Sequence, residues 1–117
     1  MKFRLGELFC GPGGIAHGLL SALVKNLSGE SFSIEHAWAT DYDEATCRTY
    51  RRNICPNNPE SVICADVRTL DLDCFHAISE IDALAFGFPC NDFSQVGEQK
   101  GFAGTYGPLF QYGIEVL

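Results

Sequence analysis

The 117-residue sequence predicts an α/β fold, a doubly wound parallel sheet with helices on its faces, and three observations carry that expectation. Apolar runs short enough to be strands alternate along the chain with amphipathic runs of helical period. Each strand-like run ends in a cluster rich in glycine or aspartate, where an open parallel sheet places its ligand-facing turns. The composition, 46% hydrophobic and 20% charged, is that of an ordinary globular domain.

The elements follow in order. Phe3–Phe9 reads as the first strand and the CGPGG stretch after it as a tight turn. Ile15 to about Asn26 reads as a helix, because Ile15, Leu19, Leu20 and Leu23 recur on one face, with Asn26 to Glu30 as its exit. Phe32–Ala39 is the second strand, carrying Phe32, Ile34 and Trp38 on one side. Thr40 to Asp43 forms a turn, and the Asp43 carboxylate is placed to cap a helix running to about Asn53. Asn57 to Glu60 is a loop and Ser61–Cys64 a short third strand. Asp71 or Asp73 caps a small helix through Glu80, and Ala83–Phe86 is the fourth strand. Asn91 to Gly107 reads as a long polar loop with four glycines, and Pro108 suits the first turn of a last helix, LFQYGIEVL. Strand, helix, strand in this order implies right-handed parallel crossovers. Four strands are few for such a sheet, and the sequence stops inside its last helix, so the expectation is an incomplete domain without internal boundary or repeat.

Bulk properties exclude several classes. No run approaches the roughly 18–20 apolar residues of a membrane span, and MKFRLGELF is no signal peptide, which makes a cytoplasmic address the expectation. Six cysteines without a CxxC pair, in an α/β pattern, suit reduced thiols better than a disulfide framework. Their spacing to His17, His36 and His76 fits no zinc site. A net charge of −7 argues against nucleic-acid binding by this stretch alone, and its one basic cluster, Arg48, Arg51 and Arg52, reads as a solvated helix face.

The chemistry-bearing residues gather at strand ends. Gly11, Gly13 and Gly14 follow the first strand and let backbone approach a ligand. Asp41 follows the second, where it could accept from ribose hydroxyls, with Tyr42 offering a flat surface to a base. Asp66 and Val67 follow the third, and GFPC, Gly87 to Cys90, the fourth. Taken singly each is more often a turn or capping residue. In this order along one rim they suit an adenosine-containing ligand. G-P-G-G lacks the spacing of a dinucleotide fingerprint and the lysine of a P-loop, which leaves an adenosine ligand without phosphates, such as S-adenosylmethionine. A nicotinamide oxidoreductase is disfavoured on the same ground.

At this point the residues resemble a family, the cytosine-C5 DNA methyltransferases. ELFCGPGG is similar to its first motif, TDYDEATCRTYRRN to the second, CADVRTLD to the third, and GFPCNDFS to the fourth, which holds the nucleophile. VGEQKGFAGTYGPLFQYGIEVL continues into the family's catalytic loop and fifth motif. The resemblance implies a Rossmann-like, S-adenosylmethionine-dependent methyltransferase fold. It also implies Cys90 as the nucleophile, Asp41 on the ribose, and Tyr42, Asp66 and Val67 around the adenine. Phe9, Gly11, Gly13, Gly14 and Ile15 would line the methionine side, with Gly87, Pro89 and Leu109 closing the pocket. Duplex DNA is the implied substrate, within a restriction–modification system. No metal is implied.

Two departures qualify the likeness. Asn91 stands where the family has Gln, and Asp92 follows it. The sequence also ends before the Glu-Asn-Val motif, the Arg-containing motif, the target-recognition region and the last cofactor motif. It is therefore expected to be the N-terminal part of the catalytic domain, a truncation or one half of a split enzyme whose partner is the second half, and inactive alone. A tRNA cytosine-C5 methyltransferase and a catalytically silent methyltransferase-like binding module are the alternatives.

Overall fold

In the computed structural model, residues 1–71, 80–87 and 110–116 are described. They form an α/β sheet with helices on both faces. The strands are β1 (Lys2–Leu8), β2 (Leu23–Lys25), β3 (Ser31–Asp41), β4 (Val62–Cys64) and β5 (Ala83–Phe86). The helices are α1 (Gly14–Leu20), α2 (Glu44–Asn53) and α3 (Phe110–Val116), with single 3₁₀ turns at Pro59–Ser61 and Val67–Thr69.

β1 lies between β3 and β5 and is parallel to both, Leu8 standing beside Thr40 on one side and Phe86 on the other. β4 is parallel to the end of β3, with Asp41 beside Cys64. The chain thus moves outward from β1 through β3 to β4, then returns to the far side of β1 as β5. The order reverses between β1 and β5, and there the carboxyl ends of two diverging strands open a crevice.

Each face has its own core. Cys10, Ala16, Ala39, Cys47, Tyr50, Cys55 and Val62 fill the face covered by α1 and α2. Leu8, Ala37, Trp38, Val67 and Val116 fill the other, with Leu84, Phe86 and Tyr112 against them. α3 comes close to β5: a Cβ on Gly113 would stand 2.7 Å from the Phe86 ring. Asp43 is the N-cap of α2, its side chain accepting from the Thr46 N–H at 2.9 Å, as that position requires.

Three expectations need correction. The first helix stops at Leu20, not near Asn26. The Ser21 hydroxyl donates to the His17 carbonyl at 2.6 Å, and Leu23–Lys25 instead pairs antiparallel with Ser31–Ser33. The Asn26 side chain builds the hairpin turn, accepting from the Ser28 and Glu30 N–H groups. The sheet therefore has a fifth strand, and this one is antiparallel. The apolar set Ile15, Leu19, Leu20, Leu23 fits a helical period but buries only in part: Ile15 is 50% exposed and Leu23 64%, while Ala16 and the half-buried Leu20 carry the contact.

The third correction concerns β3, whose Trp38 does not share a side with Ile34. The register to β1 slips between Leu5 and Gly6, leaving Ala37 as an extra residue opposite. Such a bulge breaks the two-residue alternation. Ala37 and Trp38 both enter the core with Leu8, whereas Ile34 and His36 line a hollow with Leu20 and Ile54. The small helix through Glu80, the Asn91–Gly107 loop and Pro108 lie largely or wholly outside the described residues.

The bulge creates a steric constraint. Trp38 stands over Gly6, where a Cβ would come 2.6 Å from the indole ring. The ring is buried and cannot swing aside, so Gly6→Ala is expected to cost roughly 2–3 kcal/mol. A lowered denaturation midpoint with unchanged denaturant slope is the expected readout.

Candidate functional site

β1 ends against a turn that ordinary backbone does not make. Phe9 has φ 54°, Gly11 58° and Gly13 103°. Left-handed φ is inexpensive for glycine but costs a bulky aromatic of order 1 kcal/mol or more, and such strain collects at binding sites. Phe9 is held there by its ring, which rests on the Leu8–Trp38 core. The turn is tied to β3 by two bonds: the Cys10 N–H donates to the Thr40 carbonyl and the Gly11 N–H to Asp41 Oδ2, each at 3.0 Å. Gly13 is fitted closely, since a Cβ there would lie 2.8 Å from Ile54 Cγ1 and 3.2 Å from Tyr50 Cδ2.

Asp41 joins two segments of the rim. One oxygen accepts from Gly11 and the other from the Asp43 N–H at 3.1 Å. A carboxylate offers about four acceptor positions, so both bonds leave capacity for ligand hydroxyls. Tyr42, next along, is 72% exposed, an aromatic with most of its surface in solvent. The Ala65 N–H donates to the Asp41 carbonyl at 2.9 Å, bringing the end of β4 into the same row.

Asp66 caps the 3₁₀ turn, accepting from the Arg68 N–H at 2.9 Å. Its carboxylate also accepts three bonds from the Arg68 side chain, two from Nε and one from Nη2, which hold its ionisation below the usual carboxylate range. Asp66 is thus already engaged by a cation, a partner that sequence reasoning missed. Val67 is buried beneath it. Gly87 follows β5, whose last residue lies beside Leu8.

Among the described residues, a Cβ on Gly11, Gly14 or Gly87 meets nothing within 4 Å, as is also true of Gly18 and Gly29 away from the rim. With Ile15 half exposed and Tyr42 mostly so, the rim glycines leave open backbone along the rim among the described residues. Phe9, Gly11, Gly13, Gly14, Ile15, Asp41, Tyr42, Asp66, Val67 and Gly87 all belong to this rim or its support. Pro89, Cys90 and Leu109 lie outside the described residues.

The four described cysteines bear on which sulfur can react. Burial pushes the Cys10 thiol far up, with the charge of Asp41 adding to it. Burial also raises Cys47 and Cys55, and a hydrogen bond with Glu44 pushes Cys64 up to about 12. All four are free thiols. A nucleophilic cysteine needs the opposite setting, so none of these four is poised to react.

Sequence reasoning also missed a buried polar group directly beneath the turn. Glu7, on β1, is 1% exposed and bonded to Tyr50 of α2. The available signal was an acid at the inward alternation of an otherwise apolar strand.

Comparison with known proteins gives the family and the fold. Residues 3–117 match the family model for C-5 cytosine-specific DNA methylase. The chain is 57% identical over 119 residues to Type II methyltransferase M.BbvI of Brevibacillus brevis, covering 100% of this chain and 32% of that protein. It is 36% identical over 105 residues to Type II methyltransferase M.Eco47II of Escherichia coli, covering 89% of this chain and 21% of that one. The chain therefore spans about a third or less of these relatives. Among solved structures, S. pombe Dnmt2 methyltransferase superposes with a TM-score of 0.63 over 98% of this chain and 31% of its own, at 22% identity, a likeness of fold.

The turn's fit gives a direct test. Gly13→Ala places a Cβ against Ile54 and Tyr50 at a φ that L-residues avoid, and is expected to cost about 2–4 kcal/mol. Urea denaturation reads the loss; a change below about 0.5 kcal/mol would contradict the described turn.

Proposed function

Since this chain belongs to the C-5 cytosine-specific DNA methylase family, we propose that residues 1–117 form the N-terminal, cofactor-binding and nucleophile-bearing part of the catalytic domain of a DNA (cytosine-5-)-methyltransferase. The observation that carries the reading is the single rim on which the glycine turn, Asp41 with Tyr42, Asp66 with Val67, and Gly87 stand at the switch point of the sheet. S-adenosylmethionine is the cofactor this rim fits, and when bound it supplies an electrophilic methyl group.

The chain's residues divide the work. Asp41 accepts from the ribose hydroxyls while holding the glycine turn through Gly11. Tyr42 lies against the adenine, with Val67 and the Asp66 segment at its edge. Phe9, Gly11, Gly13, Gly14 and Ile15 border the methionine end, and Gly87, Pro89 and Leu109 close it. Cys90 adds as thiolate to C6 of cytosine, because C5 is too weak a nucleophile until C6 is attacked. The target base must leave the duplex for this, since C6 is not reachable inside the stack. The raised ionisation of Cys10, Cys47, Cys55 and Cys64 supports Cys90 as the reacting sulfur, by removing four of its five competitors; the fifth, Cys74, lies outside the described residues.

The substrate is duplex DNA and the setting a cytoplasmic or nucleoid-associated restriction–modification system, in keeping with the Type II methyltransferases among the relatives. No helix among the described residues is long and apolar enough to cross a membrane.

The test uses the full-length polypeptide with duplex DNA containing 5-fluorocytosine. Wild type is expected to form a covalent complex that survives denaturing electrophoresis. Cys90→Ser is expected to form none and to lose methyl transfer by at least about a thousandfold. Asp41→Ala should weaken S-adenosylmethionine binding by roughly tenfold or more, the value of a charge-assisted hydrogen bond. An adduct that persists in Cys90→Ser would disprove the assignment.

A further inference from the structure

Beneath the glycine turn runs a chain of polar side chains buried between β1, α2 and β3. Glu7 Oε2 lies 2.5 Å from the Tyr50 hydroxyl, which lies 3.1 Å from His36 Nδ1. His36 Nε2 lies 2.7 Å from Ser61 Oγ, and that hydroxyl donates to the Asn58 carbonyl at 2.7 Å. Glu7, Tyr50 and Ser61 are 1%, 0% and 5% exposed and His36 is half-buried, beside a cluster of Cys10, Ala16, Ala39, Cys47, Cys55 and Val62.

The protons in this chain can be counted. Four links need four hydrogens, one in each. A carbonyl only accepts, so the single Ser61 hydrogen goes to Asn58. His36 must then donate from Nε2 to Ser61. Two arrangements remain for the other two links. His36 carries a second proton on Nδ1 and donates to Tyr50, which donates to an ionised Glu7. Otherwise Tyr50 donates to a bare Nδ1, and Glu7 supplies the last hydrogen as a neutral acid. The first buries a separated charge pair; the second buries no charge.

Removing two ions from water costs several kcal/mol each unless they pair closely. Here the tyrosine hydroxyl stands between them. The titratable groups that face the chain are Cys10 in the glycine turn, Cys47 and Cys55 on and after α2, Asp41 at the end of β3, which acts on Cys10, and, around the hollow beside His36 and Ser61, Arg4, Glu35 and Glu60. Arg4 is the cation among them; it shares the hollow with His36, on the far side of the Tyr50 hydroxyl from Glu7. Arg51 of α2 turns instead to the Pro59 and Val62 carbonyls and to Glu44. We propose that Glu7 is a positioning residue that stays protonated at neutral pH and, through a one-way hydrogen-bond chain to Tyr50, a neutral His36, Ser61 and Asn58, braces the cofactor-binding glycine turn. Burial favours the neutral form at each member, raising Glu7 and Tyr50 and lowering His36; at Glu7 it outweighs the hydrogen bond from Tyr50, which acts the other way. The mechanical link is short: Glu7 lies two residues before Phe9, and the Tyr50 ring abuts Gly13.

The part of this inference that concerns the cofactor rests on the function proposed above; the proton's place does not. Glu7→Gln keeps a donor toward Tyr50 and so imitates the neutral acid, whereas Glu7→Ala and Tyr50→Phe break the chain. In the full-length polypeptide with ¹⁵N-labelled histidine, His36 is expected to show the neutral Nε2–H tautomer between pH 6 and 8. An imidazolium there overturns the proton placement. Because the folded value of Glu7 is raised from its ordinary 4.5, the stability it contributes is present below that value and lost as pH rises through the folded one. Glu7→Gln lacks this loss and retains His36, so the wild-type folding constant should fall relative to Glu7→Gln by up to about tenfold per pH unit above that value. Parallel pH curves overturn the proposal.

The positioning role is read by calorimetry with S-adenosylmethionine. Glu7→Gln is expected to bind within about threefold of wild type, and Tyr50→Phe at least about tenfold more weakly. Unaltered binding in Tyr50→Phe overturns the brace. Failure of wild type to bind the cofactor defeats the proposed function instead, while the tautomer and pH curves still decide where the proton sits.

Discussion

β1 is hydrogen-bonded along both edges, to β3 and to β5, and the chain must leave it without continuing in either direction. Everything at the rim depends on that confinement. A strand held on both sides can end only by turning over the top of the sheet. In this chain the turn is made in five residues, three of them in the left-handed region. The backbone is thereby brought to the crevice bare, with its N–H groups facing inward to Thr40 and Asp41. Chirality of the crossovers does the rest, sending β3 and β4 to one side and β5 to the other.

A turn so strained needs support, and the support is of two kinds. From above, Asp41 holds Gly11 and Asp43 with its two oxygens and so couples the first rim segment to the second. From below, Tyr50 and Ile54 fill the space that a side chain on Gly13 would take. Tyr50 reaches this position because α2 is fixed at its start by the Asp43 cap and along its length by Cys47. The same aspartate-rich turn thus serves the pocket and the helix that underlies it. A buried acid completes the arrangement, since Glu7 occupies the inward position of β1 where an aliphatic residue would otherwise stand.

The two faces of the sheet play different parts. The α1–α2 face is built of small residues and polar contacts and holds the turn in place. The opposite face is built of Trp38, Leu8, Phe86 and Val116 and supplies ordinary apolar burial. The bulge at Ala37 makes this division possible by turning Trp38 away from His36, so that the largest side chain in the core fills one face while the other keeps room for a hydrogen-bonded chain.

Amino-acid order alone determined the α/β class, the sequence of the main strands, the Asp43 cap and the gathering of special residues at strand ends. These are local matters: a two-residue or 3.6-residue period, a capping oxygen and a glycine cluster can each be read within about ten residues. Tertiary structure decided the rest. Leu23 and Val24 satisfy a helix or a strand equally, and only pairing with Ser31–Ser33 settled them as strand. The bulge that moves Trp38 across the sheet exists only relative to β1. The engagement of Glu7 by Tyr50, forty-three residues away, arises from a contact that no local period encodes. What a residue does at such a site depends on what faces it, and that is set by the fold.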